Sequence, residues 1–138
     1  MIAYLDTSAL LRLVLGETGG LVELRSAEAL VSSELLAGES LRTIDRLRLR
    51  GALSAEEAAA RRTVVSEWLE AIDLVLLQRA VLARASEPFA TPLGTLDALH
   101  LATALVWRER MQKALVVATH DRDLALAARS FDFEVRGS

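Results

Sequence analysis

Cysteine is missing from these 138 residues. That excludes disulfides, a thiolate metal site and a cysteine nucleophile. Aromatic residues make up only 4%, so a core has to be built from Leu, Val, Ala and Ile. Proline occurs twice, at positions 88 and 92, so the chain has one strongly punctuated loop and otherwise room for regular elements. The apolar runs are far shorter than a membrane span and are broken by Arg, Glu or Asp. The N-terminus lacks the basic segment of a signal peptide, and Asp6 cuts its apolar run short. A soluble cytoplasmic protein with no membrane association is the expectation. Lysine is also scarce: fifteen of the sixteen basic residues are Arg, and Lys113 is the exception. The net charge of −3 argues against a protein that coats DNA non-specifically.

What is present is 52% hydrophobic, too apolar for a disordered chain and enough for the core of one domain spanning 1–138. The first stretch, Met1 to Ser8, is an apolar run that ends in Asp6. It reads as a buried strand that delivers a carboxylate, followed by a helix over Thr7–Leu15 stopped by Gly16. A short amphipathic helix is expected over Leu21–Glu28, with Leu21, Leu24 and Val22 as its inward candidates. A second strand follows over Ala29–Ser32, then a long helix over Ser33–Arg50. On that helix Leu36, Ile44 and Leu47 share an apolar stripe, while Glu39, Arg42 and Arg46 share another face. Ser54 and Glu57 have the spacing of a capping box opening a helix to Ala71. A third strand is expected over Ile72–Leu77 and a helix over Gln78–Ser86.

After the Pro88–Gly94 loop, Thr95 begins a helix that is apolar nearly all round as far as Trp107. Such a helix is expected to be central and buried, which makes Asp97 in its first turn anomalous. The clearest strand, Ala114–Ala118, runs into Thr119-His-Asp121 and a helix over Leu124–Arg129. Phe133–Val135 reads as a last, edge strand. The alternation of strands and helices argues for an α/β fold with a parallel sheet.

Asp6, Asp97 and Asp121 thus stand at element junctions, and Glu39 is a fourth acid on a helix face. Clustered carboxylates repel unless a cation or proton neutralises them. Oxygen ligands with no Cys and little His suit Mg2+ or Mn2+. Each acid also has a purely structural reading. Asp6 would cap a helix, as would Asp121 or Asp123, Asp97 would favour a helix N-terminus, and Glu39 would pair with Arg42 or Arg46. His100, three residues after Asp97, reads as a buried hydrogen-bonded histidine ahead of a metal ligand. His120 reads as a substrate contact or an exposed side chain.

Leu5-Asp-Thr-Ser-Ala-Leu10, Ser33-Glu-Leu-Leu-Ala-Gly-Glu39 with Arg42, Leu96-Asp-Ala-Leu-His-Leu-Ala102 and Val117-Ala-Thr-His-Asp121 resemble the four motifs of PIN-domain ribonucleases. More narrowly they resemble the VapC-type toxins of bacterial toxin–antitoxin pairs. The resemblance runs over the whole chain. It implies a three-layer α/β/α fold with a parallel five-stranded sheet in the order 3-2-1-4-5. It also implies an acidic Mg2+ or Mn2+ pocket that hydrolyses RNA. Carried over, the catalytic acids are Asp6, Glu39, Asp97 and Asp121, with Asp6 and Asp97 as principal metal ligands and Glu39 and Asp121 supporting. Ser8 and Thr119 are the supporting hydroxyls, and Arg12, Arg42 and Arg46 are the candidates for holding RNA. The implied partners are a small antitoxin and a second copy of the chain. The rival expectation is a PIN-like module that binds RNA or protein without cutting. Replacing Asp6 or Asp97 by Asn is expected to abolish cleavage and leave the fold intact.

Overall fold

A computed structural model covers residues 1–138. The first strand, β1 (Ile2–Leu5), leads through Asp6 into helix α1 (Thr7–Val14). A 3₁₀ helix (Val22–Ser26) precedes strand β2 (Ala29–Ser33), helix α2 (Leu35–Leu49) and helix α3 (Ala55–Glu70). Then come strand β3 (Ile72–Val75), helix α4 (Arg79–Ala85) and helix α5 (Thr95–Met111). Strand β4 (Val116–Ala118), helix α6 (Arg122–Ser130) and strand β5 (Glu134–Arg136) complete the chain. All strand pairs are parallel, and the sheet runs β3-β2-β1-β4-β5. This is the expected fold and strand order. No helix is long and apolar enough to cross a membrane.

The period-2 alternation of strands sorts the core into two layers. Ala3 and Leu5 of β1, Leu30 of β2, and Val116 and Ala118 of β4 face a cluster with Leu10, Leu36, Ile44, Val65 and Trp68 from α1, α2 and α3. The intervening Tyr4, Val31 and Val117 face Leu101, Leu105 and Leu124 from α5 and α6. Helix α5 is buried from Ala98 and from His100 to Val106 because it is sandwiched. Leu101 and Leu105 pack toward the sheet, while Ala102 and Val106 meet Val81 of α4. That explains a helix with no polar face in its middle turns.

Several boundaries differ from expectation. The segment before β2 is a 3₁₀ turn in which only Leu24 is buried; Val22 points to solvent. Strand β2 continues to Ser33 and α2 starts at Leu35. The buried Ser33 hydroxyl accepts from the Leu35 N–H at 3.1 Å, and Ser32 donates to the Leu5 carbonyl at 2.7 Å. Strand β3 stops at Val75. The Leu77 N–H turns away from the sheet to the Glu34 carboxylate at 2.8 Å, and Leu76 is left exposed. The last strand is shifted by one residue, to Glu134–Arg136, and Phe133 is a buried core residue instead. The capping box is present as expected: Ser54 and Glu57 exchange bonds of 3.0 and 3.1 Å.

Candidate active site

Strand order reverses at β1: β2 and β3 lie on one side of it, β4 and β5 on the other. In open α/β sheets the crevice at the carboxyl ends of the strands around such a reversal is where ligands bind. Asp6 follows β1 and Asp121 follows β4, so both emerge at this edge. Glu39 comes from the second turn of α2, which leaves the same end of β2, and Asp97 from the first turn of α5.

Asp6 is 3% exposed and serves α1 as its N-cap. Its Oδ1 accepts from the Ala9 N–H at 2.9 Å and from the Ser8 hydroxyl at 2.7 Å. Its Oδ2 accepts from the Thr119 hydroxyl at 2.5 Å. A carboxylate has about four lone-pair positions, so Oδ1 is filled and Oδ2 keeps one acceptor position. The hydroxyls that orient Asp6 are themselves held. Ser8 Oγ accepts from the His120 N–H at 2.9 Å, and Thr119 Oγ1 accepts from the Asp121 N–H at 3.0 Å. Asp121 in turn N-caps α6 by accepting from the Leu124 N–H at 2.8 Å. The expected supporting residues Ser8 and Thr119 therefore act on a carboxylate, and they tie the loops after β1 and β4 together.

Glu39 is half-buried and bonds neither Arg42 nor Arg46. Its Oε1 meets His100 Nε2 at 2.6 Å and the Thr7 hydroxyl at 3.0 Å. Burial opposes its ionisation, but the bonds from His100 and Thr7 and the attraction to the imidazole outweigh that and hold its carboxyl below the usual value. His100 is 1% exposed, and its Nδ1 meets the Tyr4 phenol at 2.7 Å. Both ring nitrogens are engaged, so His100 offers none to a metal.

Asp97 has no hydrogen-bond partner in the protein. Burial and then the charges of Asp121 and Asp6 raise its pKa to about 6; Glu39 adds to the rise and His100 opposes it. The four acids thus share one electrostatic field. No group of three or more acidic or histidine side chains is arranged to hold a metal ion. The donor set is nonetheless all oxygen, and Mg2+ is commonly held by one or two carboxylates while keeping several waters. The residues fit such an ion.

The Arg candidates make no ion pair with these acids. Arg12 lies 3.9 Å from Glu17, Arg42 pairs with Asp45 at 3.3 Å, and Arg46 donates to the Thr43 hydroxyl at 3.1 Å. His120 is neither free nor exposed. Its Nδ1 meets the Gly137 carbonyl at 2.9 Å, and its Nε2 is buried without a partner. Neither Thr7, which reads from the sequence as a helix-capping residue, nor Tyr4 is among the site residues expected from the sequence. Thr7 had a signal, since it follows Asp6 directly; the contact of Tyr4 spans 96 positions and had none.

The two largest concavities lie elsewhere. One of about 540 Å³ is lined by Leu24, Leu30 and Trp68, and one of about 570 Å³ by Leu82, Phe89 and Leu93. The acids line neither, so the carboxylates and not cavity volume locate the site.

A family profile described as "PIN domain" matches residues 3–130. Among solved structures, PAE2754 from Pyrobaculum aerophilum is similar at 17% identity with a TM-score of 0.54, over 95% of this chain and 92% of that one. At that identity the likeness is one of fold. No curated protein matches the sequence.

Proposed function

The chain belongs to the PIN domain family, and from that premise we propose that it is an Mg2+- or Mn2+-dependent endoribonuclease acting as the toxin of a toxin–antitoxin pair. PIN domains are generally nucleases that use divalent metals. The observation that carries the reading is the convergence of Asp6, Glu39, Asp97 and Asp121, from four different elements, on one edge of the sheet. Burial, and then the charges of Asp121 and Asp6, raise the pKa of Asp97. Charge placed this way is unfavourable without a cation.

In this reading Asp6, through the acceptor position left on Oδ2, and Asp97 would hold the principal ion, with Glu39 and Asp121 supporting. When bound, the ion supplies positive charge at the scissile phosphate and acidifies the attacking water. Ser8 and Thr119 fix the Asp6 carboxylate, as partners of a metal ligand generally do. Thr7 and His100 fix Glu39. The acids repel the RNA backbone, so Arg12, Arg42 and Arg46 are assigned to holding it. Arg42 and Arg46 are exposed on α2, the helix that carries Glu39. The toxin reading rests on the resemblance of the four motifs to VapC-type proteins. It adds a small antitoxin that covers the site and a homodimer. The exposed Val22, Leu49, Leu74 and Leu76 offer apolar surface for such partners.

The test is expression of wild type and Asp97→Asn with mapping of RNA ends, followed by cleavage of the same RNA by purified protein. Growth arrest and new RNA ends are expected only with the wild type. Cleavage should stop in excess EDTA and return with Mg2+ or Mn2+. Cleavage that persists in EDTA, or in Asp97→Asn, overturns the reading.

A further inference from the structure

Behind the acids lies a polar cluster with no access to solvent. Tyr4 and His100 are each 1% exposed, and Ser32 and Thr103 are fully buried. Tyr4 stands in the middle of β1 and faces α5, where His100 lies edge-on to its ring with centroids 5.8 Å apart. Polar groups so deeply buried are costly unless every proton has an acceptor, so their protons can be traced.

Ser32 and Thr103 lie beside the phenol, but the partner in hydrogen-bond geometry with it is His100 Nδ1 at 2.7 Å, and the Ser32 and Thr103 protons go elsewhere. Ser32 donates to the Leu5 carbonyl at 2.7 Å and Thr103 to the Leu99 carbonyl at 2.6 Å. The phenol, which burial keeps protonated, is left to donate to His100 Nδ1. At the other end, Glu39 Oε1 already accepts the Thr7 proton. An ionised carboxylate only accepts, so the 2.6 Å contact requires a proton on His100 Nε2.

We propose that His100 is a positioning residue: Tyr4 locks its ring with the proton on Nε2, and that N–H aims the Glu39 carboxylate at the acidic site. The relay runs from the centre of the sheet to the edge, Tyr4 O–H to Nδ1, then Nε2–H to Oε1. It leaves Glu39 Oε2 for the ion or its waters. The same acid is gripped by Thr7, next in sequence to Asp6, so the relay sets Glu39 relative to Asp6 as well. The role in metal binding rests on the nuclease reading above; the tautomer and the aiming of Glu39 do not.

The test combines ring-nitrogen NMR with Mn2+ titration and cleavage kinetics. In metal-free wild type at mildly alkaline pH, 15N shifts should show Nε2 protonated and Nδ1 bare; the reverse tautomer overturns the relay. His100→Leu removes the donor, and His100→Gln keeps an N–H at similar reach. Mn2+ affinity should fall about tenfold in His100→Leu, within the range known for partners of metal ligands, and should stay near wild type in His100→Gln. The loss in cleavage should lie more in kcat than in KM. Equal affinities for wild type and His100→Leu, or equal losses in Leu and Gln, overturn the proposal.

If His100→Leu fails to fold, Tyr4→Phe removes one hydroxyl and keeps the ring. It should lower the Nε2–H population and Mn2+ affinity together, and an unchanged tautomer overturns the relay. A wild type that binds Mn2+ but cleaves no RNA sinks the nuclease reading, and the affinity ratios still decide the relay's role. A wild type that binds neither Mn2+ nor Mg2+ sinks the nuclease reading and the role in metal binding, and the ring tautomer still decides the relay.

Discussion

Asp6 and Asp97 carry the same functional group at the same edge of the sheet, and the protein treats them in opposite ways. Asp6 is almost fully buried and accepts three hydrogen bonds, from Ala9, Ser8 and Thr119. Asp97 is half-buried, accepts none, and is driven up to about pKa 6 by burial and by its acidic neighbours. One carboxylate is built into the fold. The other is left unsatisfied, at a place where a cation would satisfy it. The two positions, which a motif alone makes equivalent, thus differ in what each carboxylate does for stability. A metal-ligand role at both is tested by breaking each.

The largest effect is expected on cleavage. Asp97→Asn should lower the rate by about 10²–10³-fold, the scale of removing one electrostatic contributor to a transition state. It should raise the melting temperature of the protein in EDTA, because it deletes the carboxylate that suffers the repulsion. Asp6→Asn should lose activity to a similar degree but should also lose stability. The amide brings a donor where Thr119 and Ser8 donate, and it weakens the cap of α1. A cost of about 1–3 kcal/mol is expected by urea unfolding. The expectation from sequence that Asp6→Asn leaves the fold intact thus gains a stability cost beside it. Equal melting shifts for the two variants in EDTA would remove the distinction.

Much of this was legible in the sequence, for identifiable reasons. Strands ending in Asp6 and before Thr119, and helices with a clear apolar stripe or none, follow from local periodicity. They were enough for the sheet order once the motifs were matched to a family. The four acids were legible for the same reason. What stayed hidden depends on distance along the chain. Glu39 was expected to pair with Arg42 or Arg46, one and two turns away, because helix spacing is visible. Its actual partners are Thr7, 32 positions away, and His100, 61 positions away. From the sequence, capping and chemistry are alternative roles for Asp6. The geometry lets a single carboxylate cap with one oxygen and keep an acceptor position on the other.

A middle-sized effect tests whether the Asp6 corner depends on its supports. The chain's end closes over the loop after β4: the Thr119 N–H donates to Arg136 O at 3.1 Å, and His120 Nδ1 meets Gly137 O. Gly137 has φ +98°, and a Cβ there would lie 2.7 Å from the Thr119 carbonyl oxygen. Neither atom of that clash is the tip of a flexible side chain, so backbone has to move. Gly137→Ala should cost about 1–2 kcal/mol and should lower cleavage by displacing Thr119 from Asp6, while leaving the pKa of Asp97 nearly unchanged. Hydrogen exchange at the Asp121 N–H, which Thr119 Oγ1 holds, would report the displacement. Protection equal to wild type would show that the corner does not need the tail.

The smallest effect isolates Asp97 by pH. Its carboxyl titrates near 3.8 when unperturbed and near 6 in the folded, metal-free protein. Between those values the folded state holds more protons than the unfolded one, so raising the pH favours unfolding. The contribution is fully present below about 3.8 and is lost as pH rises through about 6. Glu39 has the opposite sign. Its carboxyl is held below its usual value, so its contribution is present at higher pH and is lost on acidification. The raw stability curve mixes the two, and the difference between wild type and Asp97→Asn in EDTA separates them. That difference should widen in favour of the variant as pH rises from about 4 to about 6 and then level off. Saturating Mg2+ should narrow or reverse it, because an ion bound to ionised Asp97 stabilises the wild type by mass action and pulls the titration to lower pH. A difference that ignores pH in EDTA would mean that burial and the neighbouring acids do not strain Asp97. A difference that ignores Mg2+ would take Asp97 out of the metal site.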